Sequence, residues 1–192
     1  YRLLPEQPLL CPIGRLDKDT SGLILIAKNK YAAQQLERQR ANHTLSRVYL
    51  ALAEGHWTNQ SKSGLIDRPI EKVPECFNRY QVADTGRPSR TEYEVLSEFT
   101  YEETPFSLVR LKLQTGRTHQ IRVHMASLSH PLLGDSIYGH EGFLGFDRAA
   151  LHSFEITCQL PGHQDLAVFS SEMPEDFQKM IAKSINFSST LI

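Results

Sequence analysis

The chain has 192 residues, 40% of them hydrophobic, with 21 Lys and Arg against 22 Asp and Glu, which is the composition of a folded domain with a real core. A net charge of -1 excludes a protein that coats nucleic acid by bulk charge, though not one with a local basic groove. No stretch approaches the ~18 apolar residues of a membrane helix. No signal peptide is visible, and three widely spaced cysteines, Cys11, Cys76 and Cys158, fit a reducing, cytoplasmic setting without a C-x-x-C zinc pair.

Residues 1–13 are proline-rich and aperiodic, an extended lead-in. The segment 14–22, G-R-L-D-K-D-T-S-G, is polar and bounded by glycines, which predicts a loop. The apolar run 23–28 that follows predicts a buried strand. Residues 31–40, rich in Ala, Gln, Leu and Glu, predict a helix ending near Asn42. Residues 47–53 predict a second strand, and 55–90 short strands and loops. The alternating runs 90–96 and 107–113 predict a hairpin around the polar stretch 100–104.

Thr118 is placed to cap a helix with Ile121, Met125 and Leu128 as its apolar stripe, ended by Pro131. A glycine-rich loop covers 132–147. Strict alternation over 150–158 predicts a strand with Ala150, His152, Phe154, Ile156 and Cys158 on one face. A short strand at 166–169 and a closing helix at 175–183, with Phe177, Met180 and Ile181 inward, complete the chain. The expected class is α+β, a mixed and mainly antiparallel sheet with flanking helices, in a single domain, 1–192.

Asp17 sits in the glycine-bounded loop beside Arg15, Lys18 and Asp19. A carboxylate held there can act as nucleophile or base, but on residue type alone the turn or cap reading is the stronger. Tyr49 offers a π-face or is a core aromatic on an alternating strand. Arg122, next to the apolar stripe, wants an anionic partner or lies with its stem along the helix flank. Arg117, His119, Gln120 and His124 gather where a helix begins, and backbone N–H groups there favour phosphate. His119 and His124 are five residues apart, poor spacing for a metal pair on one helix face.

Five blocks carry a resemblance: G-R-L-D-K-D-T-S-G-L-I-L-I-A-K at 14–28, R-V-Y-L-A-L-A-E-G at 47–55, Q-T-G-R-T-H-Q-I-R-V-H at 114–124, H-P-L-L-G-D-S-I-Y-G at 130–139 and R-A-A-L-H-S-F at 148–154. In this order they resemble the RluA family of pseudouridine synthases, enzymes that isomerise uridine in ribosomal or transfer RNA without a cofactor or metal. The resemblance implies Asp17 as the catalytic aspartate, with Arg122 as its ion-pair partner. It implies Tyr49 stacked on the target base, with Leu151 near an apolar pocket wall. Arg15 is implied beside the flipped-out nucleotide, and Arg117, His119 and Gln120 are expected at the RNA backbone.

Gly14 departs from the family pattern, which usually has His there; glycine is typical of the sister RsuA class. The family's upstream Lys-Pro strand is not seen either, as expected of a chain preceded by further sequence. Both departures motivate a second reading, a non-catalytic RNA-binding module on the same scaffold.

Overall fold

A mixed sheet organises the domain. The computed structural model describes residues 10–189, with side chains to residue 185; the lead-in at 1–9 lies outside the described residues. The described strands are β1 (Cys11–Ile13), β2 (Ser21–Gly22), β3 (Leu25–Ala27), β4 (Ser46–Glu54), β5 (Ser63–Asp67), β6 (Ile70–Lys72), β7 (Tyr80–Val82), β8 (Arg90–Tyr101), β9 (Thr104–Leu113), β10 (Leu151–Gln159) and β11 (Leu166–Ser170). The helices are α1 (Lys30–Ala41), α2 (Gln120–Ser127) and α3 (Glu175–Ser189). The large sheet has the order β11-β10-β4-β9-β8-β5, with β2 added parallel to β10 and every other pairing antiparallel. The class is α+β.

Alternation along β4 explains why the sheet carries helices on both sides. Tyr49, Ala51 and Ala53 point to one face, where they pack with Ile121 and Met125 of α2 and with Leu151. Leu50 and Leu52 point to the other, against Phe106, Phe177 and Met180 under α3. A third cluster, on the α2 side, sets Leu36 of α1 against Ile156, Cys158, Leu45 and Ala27. The functional face is therefore the one shared by α1 and α2.

Helix α1 begins where expected, because Asn29 accepts the Ala32 N–H in its side-chain oxygen at 2.8 Å. The β8–β9 hairpin closes on Glu102 and Glu103, whose φ values of 48° and 61° are those of a two-residue turn with both central residues left-handed.

Three expectations are corrected. The run 23–28 is not a buried strand: only 25–27 pair, with β1, and Ile24 and Ile26 are exposed, because among the described residues one face of this small hairpin is left uncovered. Helix α2 starts at Gln120 and is capped by His119 in the left-handed region (φ 55°), not by Thr118, and no side chain caps it. The alternation over 150–158 is broken by a bulge between Ser153 and Glu155. Phe154 is the extra residue, so Ala150 and Phe154 serve the α3 side while Ile156 and Cys158 turn to the α1 side.

The loop bearing Asp17 is fastened at its far end by Gly22, whose φ is 101°. A Cβ there would stand 2.2 Å from the Ser153 carbonyl oxygen, which itself accepts the Leu23 N–H at 2.9 Å. Gly22→Ala is expected to cost at least about 1–3 kcal/mol in backbone strain and to lift β2 off β10. Urea unfolding should show the loss, and hydrogen exchange should localise it to 14–23.

Candidate active site

The Asp17 loop lies where residues of α1 and α2 come together, Arg40 from the first and Ile121 and Arg122 from the second. The Asp17 carbonyl accepts the Thr20 N–H at 3.1 Å, which folds the loop into a tight turn. Below it lies a cavity of about 150 Å3, lined among others by Asp17, Tyr49, Leu151, Ile121 and Arg122. A space of that size can take up a benzene-sized ring. Strands β4 and β10 supply the floor: Tyr49 lies directly across from Ser153, and Ala51 across from Leu151. Arg15 reaches Asp17 at 3.9 Å while its own side chain stays 72% exposed, so it borders the mouth.

Seven of the eight residues selected from the sequence line this one cavity: Asp17, Arg15, Tyr49, Arg122, Leu151, Arg117 and Gln120. His119 does not. Its ring is buried beneath the helix start, edge-on to Tyr80 and Tyr138. The Tyr138 oxygen accepts the Tyr80 N–H at 2.9 Å and is hydrogen-bonded to His119 Nδ1 at 2.9 Å. Burial and the neighbouring Arg122 charge lower the His119 pKa, and burial pushes the Tyr138 phenol up to about 12. Both groups are neutral at pH 7, and the buried His119 ring stands in the wall behind the site, outside the cavity lining.

Gln120 is likewise committed. Its Oε1 accepts the Thr115 hydroxyl at 2.8 Å and the Arg117 N–H at 3.0 Å. Its Nε2 donates to the Arg90 carbonyl at 2.9 Å and to Thr91. It ties the segment before α2 to strand β8, and no donor is left over for a ligand.

The ion pair of Arg122 is made with Asp135, not Asp17. Nε donates to Oδ2 at 2.7 Å and Nη2 to Oδ1 at 2.6 Å, a bidentate pair with Asp135 fully buried. Burial works against the Arg122 charge, but the Asp135 carboxylate, and at longer range Asp17, outweigh it and hold the guanidinium protonated. Asp135 Oδ1 also accepts the N–H groups of Ile137 and Tyr138 at 3.0 and 3.1 Å. The reason for this partner is enclosure: a fully buried carboxylate must be paired, whereas the Asp17 side chain keeps 17% exposure. Asp17 thus faces the cavity with a fixed positive charge below it.

Burial raises the Tyr49 pKa, followed in size by the opposing effect of Arg47, so the phenol is protonated at neutral pH. It presents a ring and a hydroxyl, not an anion.

Three further residues belong to the site. Asp135 and Tyr138 were present in the block at 130–139; the turn-forming pattern after Gly134 was legible, but their partners in α2 were not. Arg148 fastens the Asp17 loop from behind. Its Nη1 donates to the carbonyls of Asp19 and Leu151 at 3.1 and 3.2 Å. Its Nε and Nη2 hold Asp176 of α3 at 2.9 and 2.5 Å. It joins the loop, the cavity wall and the closing helix.

His124, deeper in α2, has its Nδ1 2.9 Å from the Thr91 hydroxyl and its Nε2 2.9 Å from the Arg68 carbonyl. Burial lowers its pKa. Its folded pKa lies below the unfolded value of about 6.5, so the unfolded chain takes up more protons as pH falls. The stability from neutral His124 is present above about pH 6.5 and is lost as pH drops below it. The urea midpoint should fall between about pH 7 and pH 5, and His124→Gln should flatten that fall.

A mixed, mainly antiparallel sheet with flanking helices in this order is the fold of pseudouridylate synthase domains. The human RNA pseudouridylate synthase domain containing 1 superposes with a TM-score of 0.72 at 30% identity, over 85% of this chain and 69% of that one. The chain belongs to the RNA pseudouridylate synthase family, whose sequence model matches residues 2–127. It is 37% identical to the ribosomal large subunit pseudouridine synthase D of Nitrosomonas europaea, over 93% of this chain and 52% of that protein. It is 40% identical to the RNA pseudouridine synthase YhcT of Bacillus subtilis, over 94% of this chain and 58% of that protein. The chain thus spans a little over half the length of these curated relatives.

Proposed function

We propose that this protein isomerises uridine to pseudouridine in RNA, with Asp17 as the essential group and large-subunit ribosomal RNA as the substrate. The observation that carries the reading is the single cavity that brings Asp17, Tyr49, Leu151 and Arg122 together. The substrate follows from relatives named for the ribosomal large subunit.

A uridine in folded RNA hides its glycosidic bond, so the base must be turned out of its stack and held. Tyr49 supplies a stacking face, worth ~1–3 kcal/mol per base in comparable sites, and Leu151 bounds the ring opposite. The N1–C1′ bond breaks, the uracil turns, and C5 bonds to C1′. The C5 proton then leaves and N1 regains one, so no oxidant, reductant or cofactor enters the balance. Asp17 stands where it can attack the sugar or base, or remove a sugar proton. Arg122 fixes positive charge beneath it, and Arg15 borders the RNA side.

Tritium release from C5-labelled uridine in unmodified large-subunit ribosomal RNA tests the reading. Release by the wild type is expected. No release from ribosomal or transfer RNA would overturn it in favour of a non-catalytic RNA-binding module.

A further inference from the structure

Beside the Asp17 cavity lies a second one of about 290 Å3, and the two share Arg40, Arg47, Leu113, Gly116 and Arg117. Its ten lining residues include three arginines and His43, and no carboxylate. We propose that this second cavity is a phosphodiester-binding subsite for the nucleotide adjoining the target uridine. The assignment rests on the RNA reading above.

Arg47 is the built part of the site. Its guanidinium is seated between two glycines: a Cβ at Gly116 would come 2.7 Å from Nη2, and one at Gly14 3.5 Å from Nη1. Gly116 is therefore the glycine that leaves room for this guanidinium, and a Cβ at Gly14 would only touch it. Arg47 lines both cavities, so it stands at the partition between them. Among the described residues, Arg47 and Arg117 form no ion pair with a carboxylate, whereas Arg40 is paired with Glu37 at 2.7 Å. Arg117 spends Nε on the Pro88 carbonyl at 3.2 Å, which fixes its stem and leaves its terminal nitrogens.

The floor is rigid and offers no competing anion. The Thr115 oxygen accepts the Arg90 N–H at 2.9 Å while its proton goes to Gln120, and Gln114 is bonded to Glu92 at 2.6 Å. Planar guanidinium forks without carboxylate partners suit the oxygens of a phosphodiester. A strand that places one nucleotide in the first cavity must continue past Arg47, and this cavity is directly continuous with it.

The test is salt-dependent binding of a short fluorescein-labelled oligouridylate to Asp17→Asn protein, with and without Arg47→Met or Arg117→Met. Arg38→Met, on the exposed side of α1, is the control. Each cavity substitution is expected to weaken binding about tenfold at low salt and to make the slope of log K against log salt shallower by roughly 0.7. Arg47→Lys and Arg117→Lys should keep most of the slope, because the charge survives. Slopes unchanged in both Met variants, or lost equally in the Lys variants, would overturn the subsite. The catalytic reading fails separately: a wild type that releases no tritium but shows these slope changes retains the subsite and loses the reaction.

Discussion

Asp17→Asn is expected to lower tritium release by roughly 10^4-fold or more, the scale seen when a central member of a catalytic unit is removed, while leaving the fold intact. The Asp17 side chain is 17% exposed and its one ion-pair contact, with Arg15, is long at 3.9 Å; a contact of that kind carries little stability. Its backbone carbonyl, which holds the turn through Thr20, is untouched by the substitution. The melting temperature should therefore stay within about 2 °C of wild type, and oligouridylate should still bind. Turnover at the wild-type rate would remove Asp17 from the chemistry and leave the cavity as a binding pocket only.

Asp135→Ala should show the opposite signature, a large loss of stability. Removing one member of a buried ion pair leaves the other uncompensated, at a cost of about 3–5 kcal/mol, a sizeable part of the 5–15 kcal/mol of a typical domain. Arg122 is the member stranded, since its Nε and Nη2 both donate to Asp135. The N–H groups of Ile137 and Tyr138 lose their acceptor as well. Circular dichroism should place the melting temperature about 10 °C lower.

The double variant Arg122→Met/Asp135→Leu separates the two roles of the pair. It removes both charges together, so most of the stability should return. The positive charge beneath Asp17 is gone, so activity should not return. A double variant as active as wild type would show that Arg122 contributes only to folding. Equal stability of Asp135→Ala and wild type would mean that the pair is solvated in solution.

What the sequence by itself determined was whatever repeats over a few residues. The alternation of 107–113 made a strand, the composition of 31–40 made a helix, and glycine-bounded polar residues put Asp17 in a loop directly before an apolar run. The ordered motif blocks likewise brought seven of eight chosen residues to one cavity.

The tertiary structure alone decided the pairings between elements distant in the chain. The bulge at Phe154 hands Ile156 and Cys158 to the α1 side, because local alternation cannot register an extra residue that only the partner strand reveals. Ile24 and Ile26 are as apolar as any core residue, yet exposed, since burial depends on what lies opposite. Arg122 found Asp135, not Asp17, and Gln120 was spent on Thr115, Arg117 and Arg90. Buried polar groups take whichever partner the packing delivers to bonding distance, and that delivery is set by elements far apart in the chain, as where Gly22 meets Ser153.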